Sequence, residues 1–314
     1  MACSEFESNS MSKAKIAVIG AGLMGHGIAQ VFALAGHDVT VTDTGMKNLD
    51  TLVARIAANL RDLGEDEGAL ARVRPCVDLG ETVRGVDYVV EAVFEDLALK
   101  QKLFAAIESH VRPDTILASN TSVIPITSIM AGLKRRERAL GTHWWNPPFL
   151  VPLVEVIETQ WTSAETVAWT MELHRTAGKQ PAHVKKDVPG FIGNRLQHAL
   201  WREAIALVEQ GICDAETVDA VIKASFGRRL AVLGPLENAD LVGTDLALAV
   251  HNVVLPAIDS RPSASPYLEK LVADGKLGFK SGEGFRKWNQ EQQAALRASL
   301  VAHLKDARDR EKAK

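Results

Sequence analysis

KIAVIGAGLMG, residues 15–25, is the stretch that decides the fold of this chain. Its first half is a short apolar run ending in glycine, which is typical of a buried parallel strand. The alanine-rich run at 23–35 follows as a helix, with Gly36 placed to close it. VTVTD, residues 39–43, is a second β-branched run. Two strands around one helix make a βαβ unit, which is right-handed almost without exception.

Three glycines of this stretch fit the pattern GxGxxG between a strand and a helix. The first allows a tight turn, the second lets the backbone approach a pyrophosphate, and the third lets helix and strand pack closely. The helix N-terminus faces the phosphates. The contacts predicted for this turn are Gly20, Gly22, Leu23, Met24 and Gly25. The sequence therefore predicts a dinucleotide site.

Asp43 ends the second strand, about 20 residues beyond the glycines, where a carboxylate can bind the diol of a ribose. The same charge would repel the 2′-phosphate of NADP. A helix cap or a solvated loop end is the alternative interpretation of this aspartate. We expect NAD as the cofactor.

The rest of the chain divides into two parts by the pattern of its predicted helices and strands. Strand candidates at 87–93, 115–119, 139–145 and 153–157 alternate with helix candidates at 47–63, 97–111 and 164–177. This alternation predicts an α/β fold with a doubly wound, Rossmann-type parallel sheet. Beyond Lys186 the segments 191–209, 215–226, 236–254 and 266–273 all read as helices. We expect a disordered extension at 1–12, an NAD-binding domain at 13–188 and an all-helical substrate and dimerisation domain at 189–314.

Bulk composition excludes several function classes. The net charge of -3 offers no broad basic surface for nucleic acid. No apolar run reaches the roughly 18–20 residues of a membrane helix. Cys3, Cys76 and Cys213 are scattered and form no ligand cluster. We expect no nucleic acid, membrane or metal partner, reduced thiols and a cytoplasmic setting.

Four further segments stand out: ASNTS at 118–122, GTHWWNPP at 141–148, LVEVI at 153–157 and PGFIGNR at 189–195. Taken singly, each has an ordinary structural explanation. Asn120 and Ser122 could be turn formers after a strand. His143 could bond to backbone at a strand end, and Asn194 could face solvent. Glu155 is less ordinary, because a carboxylate in an apolar strand needs a partner when buried.

Together and in this order, these segments resemble the L-3-hydroxyacyl-CoA dehydrogenase family, including its lambda-crystallin/gulonate and carnitine dehydrogenase relatives. The resemblance runs from Lys15 to Trp288 and includes VVEAVFED, GPLENADLVGTD and KSGEGF. It implies that His143 is a base, that Glu155 orients it, and that Ser122 and Asn194 hold substrate. It also implies a homodimer formed through the helical domain. The cofactor contacts expected outside the glycine turn are Asp43, Ala92, Glu95, Lys100, Asn120, Asn146 and Lys280.

These residue types suit the oxidation of a secondary alcohol. Hydride leaves the carbinol carbon for the nicotinamide, so the hydroxyl proton must go elsewhere. Imidazole, with a reference pKa of about 6.5, can accept a proton at neutral pH. A carboxylate on its other nitrogen fixes the tautomer and stabilises the imidazolium.

Two departures from the acyl-CoA enzymes bear on the substrate. The segment between Asp43 and Asp87 is shorter, and its acidic turn at 64–68 would repel the phosphates of CoA. The loop at 226–235 is longer and carries Arg229, which can bind both oxygens of a free carboxylate or form a surface salt bridge. We expect NAD-dependent oxidation of a small 3-hydroxy acid. A 3-hydroxyacyl-CoA substrate and a non-catalytic, NAD-binding structural protein are the alternatives.

Overall fold

The structure is a computed structural model that describes residues 13–313. The predicted extension at 1–12, and Cys3 with it, lies outside the described residues. By contacts between Cα atoms the chain divides into two compact units. Of the described residues, the first unit holds 13–194 and 303–313, and the second holds Arg195–Ala302.

An eight-stranded sheet forms the first unit, and it confirms the predicted Rossmann-type α/β fold. The strands are β1 (Lys15–Ile19), β2 (Asp38–Thr42), β3 (Val73–Pro75), β4 (Tyr88–Glu91), β5 (Ile116–Ser119), β6 (Ala139–Trp144), β7 (Leu153–Ile157) and β8 (Gln180–Val184). Their order in the sheet is β3-β2-β1-β4-β5-β6-β7-β8. The two edge strands, β3 and β8, were not predicted.

β7 differs from the predicted all-parallel sheet, because it pairs antiparallel with β6. The reason is the length of the connection between them. A parallel crossover needs a dozen or more residues, whereas 145–152 supplies eight. β8 in turn pairs parallel with β7. The chain therefore reverses direction between the strand that carries His143 and the strand that carries Glu155.

Helices cover both faces of the sheet. They are α1 (Gly25–Leu34), α2 (Met46–Asp50), α3 (Leu52–Leu63), α4 (Leu79–Val83), α5 (Leu97–Glu108), α6 (Ile126–Met130) and α7 (Ala164–Thr176), with short 3-10 helices at Glu67–Arg72 and Arg136–Arg138. The single helix predicted at 47–63 is broken at Thr51, whose hydroxyl donates to the carbonyl of Lys47. Two buried apolar clusters fill the layers, one on each side of the sheet. This double covering explains why the strands read as continuous apolar runs.

The second unit is helical. Its elements are α8 (Gly193–Glu209), α9 (Ala215–Ala224), α10 (Pro235–Val242), α11 (Thr244–Val254), α12 (Pro266–Ala273) and α13 (Gln290–Lys312), with 3-10 turns at Phe226–Arg228 and Leu255–Ala257. The helix predicted at 236–254 is interrupted at Gly243, whose φ of +96° ends one helix before the next begins. Within 195–302, two hydrophobic side chains, Ala206 and Leu271, are buried.

The end of α13 belongs to the first unit, where it lies against the end of α3. Lys305 donates to the Asp62 carboxylate at 2.6 Å, and Arg308 donates to the Leu63 carbonyl. Lys312 and Arg308 both pair with Glu65. Glu65 belongs to the turn that was expected to repel phosphates, so these cations largely balance the charge of that turn. Across residues 13–313, no helix has both the length and the apolar character to cross a membrane.

Candidate active site

The glycine turn lies at the carboxyl end of β1, where ligands of open α/β sheets bind. Gly20 has a φ of +106°, and a Cβ there would lie 2.6 Å from the carbonyl oxygen of Ala92. A Cβ on Gly25 would lie 1.7 Å from the carbonyl oxygen of Gly20. A Cβ on Gly22, by contrast, would meet nothing within 4 Å. Gly20 and Gly25 are thus required by the fold, whereas Gly22 leaves open space over the turn, where a pyrophosphate fits.

Asp43 is fixed beside this turn by backbone amides. Its Oδ2 accepts from the N–H of Ala21 and its Oδ1 from the N–H of Gly45, both at 2.6 Å. Oδ2 also accepts, more weakly, from the side-chain amide of Asn48 at 3.4 Å, so Oδ1 keeps a further lone pair for a ribose hydroxyl. The open turn, the helix N-terminus and this carboxylate together fit NAD.

A buried ion pair supports the loops at the ends of β4 and β5. Lys100 and Glu91 are completely buried, and their Nζ and Oε1 atoms lie 2.5 Å apart. Glu91 also accepts from the hydroxyl of Ser119 at 2.6 Å, and its backbone carbonyl accepts from the N–H of Asn120. Lys100 was predicted to touch the cofactor, but its ammonium group is enclosed here. Its effect on a ligand would be exerted through the loops that it supports.

Glu95 connects this pair to Ser122. One carboxylate oxygen accepts from the Thr121 hydroxyl and from the N–H groups of Ser122 and Val123. Burial alone would raise the pKa of Glu95, but the bond from Thr121 and the charge of Lys100 outweigh it and lower the pKa. Glu95 is therefore ionised, and it sets the backbone position of Ser122.

His143 and Glu155 lie directly opposite one another on β6 and β7. Opposed residues of an antiparallel pair project to the same face of the sheet. The Nδ1 of His143 is 2.7 Å from Oε2 of Glu155, and both side chains are almost fully buried. The ring packs between Trp145 and Phe191. The Nε2 of His143 is the nitrogen left to meet a substrate.

The other oxygen of Glu155 is held by the start of α8. Oε1 accepts from the N–H groups of Ile192 at 2.8 Å and Gly193 at 3.0 Å. Phe191, buried and with a φ of +51°, turns the chain so that these amides face the carboxylate. Burial would raise the pKa of Glu155, but the bonds from His143, Gly193 and Ile192 lower it. The carboxylate is thus an anion that can stabilise an imidazolium.

Ser122 and Asn194, separated by 72 positions in the sequence, meet in the structure. The side-chain amide of Asn194 donates to the backbone carbonyl of Ser122 at 3.0 Å. Asn120 lies nearby in sequence, and its Oδ1 accepts from the N–H of Trp144, the residue after His143. Asn146 is exposed on the β6–β7 connection, and Ala92 is half-buried beside Gly20. The first unit therefore carries the predicted catalytic residues and most of the predicted cofactor contacts.

Arg229 and Lys280 belong to the second unit. Arg229 is exposed and follows the 3-10 turn Phe226–Arg228. Lys280 lines a cavity of about 600 Å³ between α8, α9 and α12. Their predicted contacts with substrate and cofactor stay predictions. No group of His, Cys, Asp and Glu among residues 13–313 is arranged to hold a metal ion.

Sequence reasoning missed two residues of this region. Glu91 is a carboxylate inside the apolar strand β4, and the rule that singled out Glu155 applies to it equally. Arg55 binds the carbonyl oxygens of the glycine turn from α3. It had no signal in the sequence, because arginine on an exposed helix face is ordinary.

Two family models match nearly the whole described chain. The NAD binding domain of 3-hydroxyacyl-CoA dehydrogenase matches residues 15–188, and the C-terminal domain of the same family matches 190–288. Human mitochondrial hydroxyacyl-coenzyme A dehydrogenase is 37% identical over 87% of this chain and 90% of its own length.

A second relative acts on a different kind of compound. It is 5-formyl-3-hydroxy-2-methylpyridine 4-carboxylate 5-dehydrogenase of Mesorhizobium japonicum, 36% identical over 92% of this chain and 95% of its own length. A crystal structure of an enzyme with this activity, described as an NAD+-dependent dismutase, superposes with a TM-score of 0.88 at 35% identity, covering 94% of this chain and 97% of that one. The (S)-3-hydroxybutyryl-CoA dehydrogenase of Ralstonia eutropha gives 0.73 at 32% identity, covering 89% and 100%.

Proposed function

This chain belongs to the 3-hydroxyacyl-CoA dehydrogenase family and is an NAD-dependent oxidoreductase acting on CH–OH groups, and from that premise we propose that it oxidises a small 3-hydroxy acid with a free carboxylate. The observation that carries this choice is the comparison of folds. The relative named for a pyridine carboxylate superposes at 0.88, and the acyl-CoA enzyme at 0.73, over similar shares of the chain.

In the proposed reaction His143 Nε2 accepts the proton of the substrate hydroxyl. Glu155, bonded to Nδ1, keeps the ring in the tautomer whose Nε2 is free and stabilises the positive charge that develops. Ser122 donates a hydrogen bond to the reacting oxygen, and Asn194 binds the neighbouring carboxylate. A bound NAD would supply the acceptor for the hydride of the carbinol carbon.

The remaining predicted contacts serve to place the cofactor. The glycine turn and the N-terminus of α1 would bind its pyrophosphate, and Asp43 would bind the ribose diol. Ala92, Glu95, Asn120 and Asn146 line the carboxyl edge of the sheet and would contact the cofactor along its length. Lys100 would act by holding Glu91 and Glu95 in place.

The carboxylate preference does not rest on repulsion by the acidic turn at 64–68. Arg308 and Lys312 pair with Glu65, and Arg61 pairs with Glu67. The Asp66 side chain caps the following 3-10 helix through the N–H of Gly68. What supports a free carboxylate on this chain is Arg229, an exposed guanidinium in the second unit.

A substrate panel tests the proposal. Free 3-hydroxy acids, pyridine carboxylates with a neighbouring hydroxymethyl group, and 3-hydroxyacyl-CoA esters should be compared by kcat/KM from NADH absorbance. At least one free acid should exceed every CoA ester tested. Faster turnover of 3-hydroxybutyryl-CoA than of all free acids would overturn it. The acyl-CoA function is the second candidate, favoured by the 37% identity to the human enzyme.

We also propose that the second unit joins two copies of this chain. The apolar side chains of its helix α11 include Leu246, Leu248, Val250 and Val253, and all four are exposed. Exposed groups of large apolar side chains mark protein–protein interaction sites. A homodimer in light scattering, converted to monomer by Val250→Asp, is the expected result, and a monomeric wild-type protein would refute the proposal.

A further inference from the structure

Arg55 reaches from α3 to the back of the glycine turn. Its guanidinium donates to the carbonyl of Ala21 at 2.5 Å and, more weakly, to that of Gly22 at 3.4 Å. A third bond, at 2.7 Å, goes to the carbonyl of Asn48. The charge of Asp43 acts on Arg55 from a distance, but no carboxylate among the described residues lies within ion-pair distance of its guanidinium. Its guanidinium therefore bonds to backbone carbonyls of the glycine turn and of α2.

Peptide geometry turns this contact into a constraint on the opposite side of the turn. In a trans peptide the carbonyl of one residue and the N–H of the next point in opposite directions. With the Ala21 carbonyl held by Arg55, the N–H of Gly22 is aimed away from Arg55. Among the described residues, the N–H groups of Gly22, Leu23 and Met24 have no acceptor. They are the donors at the open side of the turn.

The orientation of the Ala21 carbonyl depends on Arg55 more than that of the Gly22 carbonyl does. The carbonyl of Gly22 also accepts from the ring nitrogen Nδ1 of His26 at 2.8 Å. Among the described residues, Arg55 is the one donor to the Ala21 carbonyl, while Asp43 accepts from the N–H of the same residue. The peptide before Ala21 is therefore held by the anionic side chain of Asp43, and the peptide after it by the cationic side chain of Arg55.

We propose that Arg55 is a positioning residue for the pyrophosphate of NAD. It fixes the Ala21–Gly22 peptide from behind, so that the N–H groups of the turn face the phosphates, and it places a permanent positive charge on the same turn. Helix N-termini and backbone N–H groups bind anions, and a nearby cation strengthens that binding. The inference rests on the NAD site and is independent of the identity of the substrate.

The test separates the diphosphate from the rest of the cofactor. Full-length Arg55→Met should be titrated with NADH and with ADP-ribose, and with adenosine in competition against NADH. Loss of a charge-assisted bond should weaken both diphosphate ligands roughly 10- to 100-fold. Adenosine, which lacks phosphate, should keep its affinity within about twofold.

Arg61→Met is the matched control, because Arg61 lies on the same helix and pairs with Glu67 on the surface. It should leave all three affinities unchanged. Arg55→Lys retains the charge and should lose less affinity for NADH than Arg55→Met. The lysine variant keeps the test usable if the methionine variant folds poorly. A loss that falls equally on adenosine, or unchanged NADH affinity in both Arg55 variants, overturns the proposal.

Discussion

His143 on β6 lies directly opposite Glu155 on β7, and the antiparallel register places Nδ1 2.7 Å from the carboxylate. Backbone amides of Ile192 and Gly193 hold the second oxygen of that carboxylate. Groups from β6 and from the start of α8 therefore converge on one buried anion of β7. Among residues 13–313, the imidazole that we propose as the base is the one ring that bonds to this carboxylate.

We predict that His143 and Glu155 act as one unit. General-base catalysis contributes roughly 10²–10⁴-fold, so His143→Ala should lower kcat by about that factor. Glu155→Gln should also be severe, because it removes the charge that stabilises imidazolium. The double variant should be little worse than His143→Ala. Glu158→Gln removes the carboxylate from another His–Glu pair, with His183, and should leave kcat unchanged. Additive losses would mean that Glu155 has an independent role.

Gly22→Ala and Gly25→Ala should have separable effects. A methyl group at Gly22 meets open space, so the free energy of unfolding should change by less than about 1 kcal/mol while NADH affinity falls at least about tenfold. At Gly25 it would collide with the Gly20 carbonyl, and overpacking of this kind costs about 1–3 kcal/mol or more. Urea unfolding and NADH titration of both variants check this. Equal destabilisation by both would contradict it.

Asp43 should set the preference for NAD over NADP. Replacing it with alanine removes the acceptor for the ribose hydroxyls and the charge that repels a 2′-phosphate. Asp43→Ala should therefore lower kcat/KM for NAD more than for NADP and narrow their ratio. Asp50→Ala, an exposed aspartate on α2, serves as control. Equal efficiency of the wild-type enzyme with NAD and NADP would refute this assignment.

Arg229→Leu should weaken turnover of anionic substrates selectively. A charge-assisted hydrogen bond contributes roughly 1.5–3 kcal/mol, which predicts about a 10- to 100-fold loss in kcat/KM. NAD affinity should be unchanged, and neutral esters should lose little. Arg228→Leu, at the preceding exposed position, should have no such effect. An unchanged rate with every free acid would show that Arg229 faces solvent.

We expect Lys179 to make the free energy of unfolding depend on pH. It is buried and donates to the carbonyls of Pro148 and Val151, and no carboxylate in the part of the chain that the structure describes pairs with it. Burial lowers its pKa to about 8, whereas an unfolded lysine titrates near 10.4. Between these values the unfolded chain binds more protons, so the free energy of unfolding gains about 3 kcal/mol as pH rises through this window.

The comparison with Lys179→Met isolates this effect, because other titrations cancel in the difference. His174, the ionisable neighbour in the same layer, has its pKa lowered to about 4 by burial and stays neutral in this range. Urea unfolding of both proteins at pH 7.5 and 10.5 measures the change. Lys185→Met, at an exposed position, should behave as wild type. A difference that is independent of pH would show that Lys179 has the same pKa in the folded and the unfolded chain.

The glycine turn and the βαβ unit could be predicted because each glycine answers a local requirement of strand, turn or helix. The antiparallel β7 was missed, although the eight-residue connection before it is too short for a parallel crossover. The edge strand β3 has three residues, which is too short for periodicity to show.

The partners of charged side chains were harder to predict from the sequence than the strands. Lys100 reads as a cofactor contact in sequence, but Glu91 holds it in the interior. Glu65 reads as a free carboxylate, yet residues nearly 250 positions away neutralise it. A sequence shows which side chains are charged. Their partners depend on long-range packing, which residue type and spacing do not specify.

The short β6–β7 connection also bears on the order of assembly. His143 and Glu155 are 12 positions apart, whereas Asn194 and Ser122 are 72 apart. Closing the longer loop costs about 1.6 kcal/mol more in chain entropy. We therefore expect the hairpin that aligns the imidazole and its carboxylate to form early in folding, and the contact between Asn194 and Ser122 to form late. Partly unfolded forms of this protein would then lose the proposed substrate contacts while the hairpin is still paired.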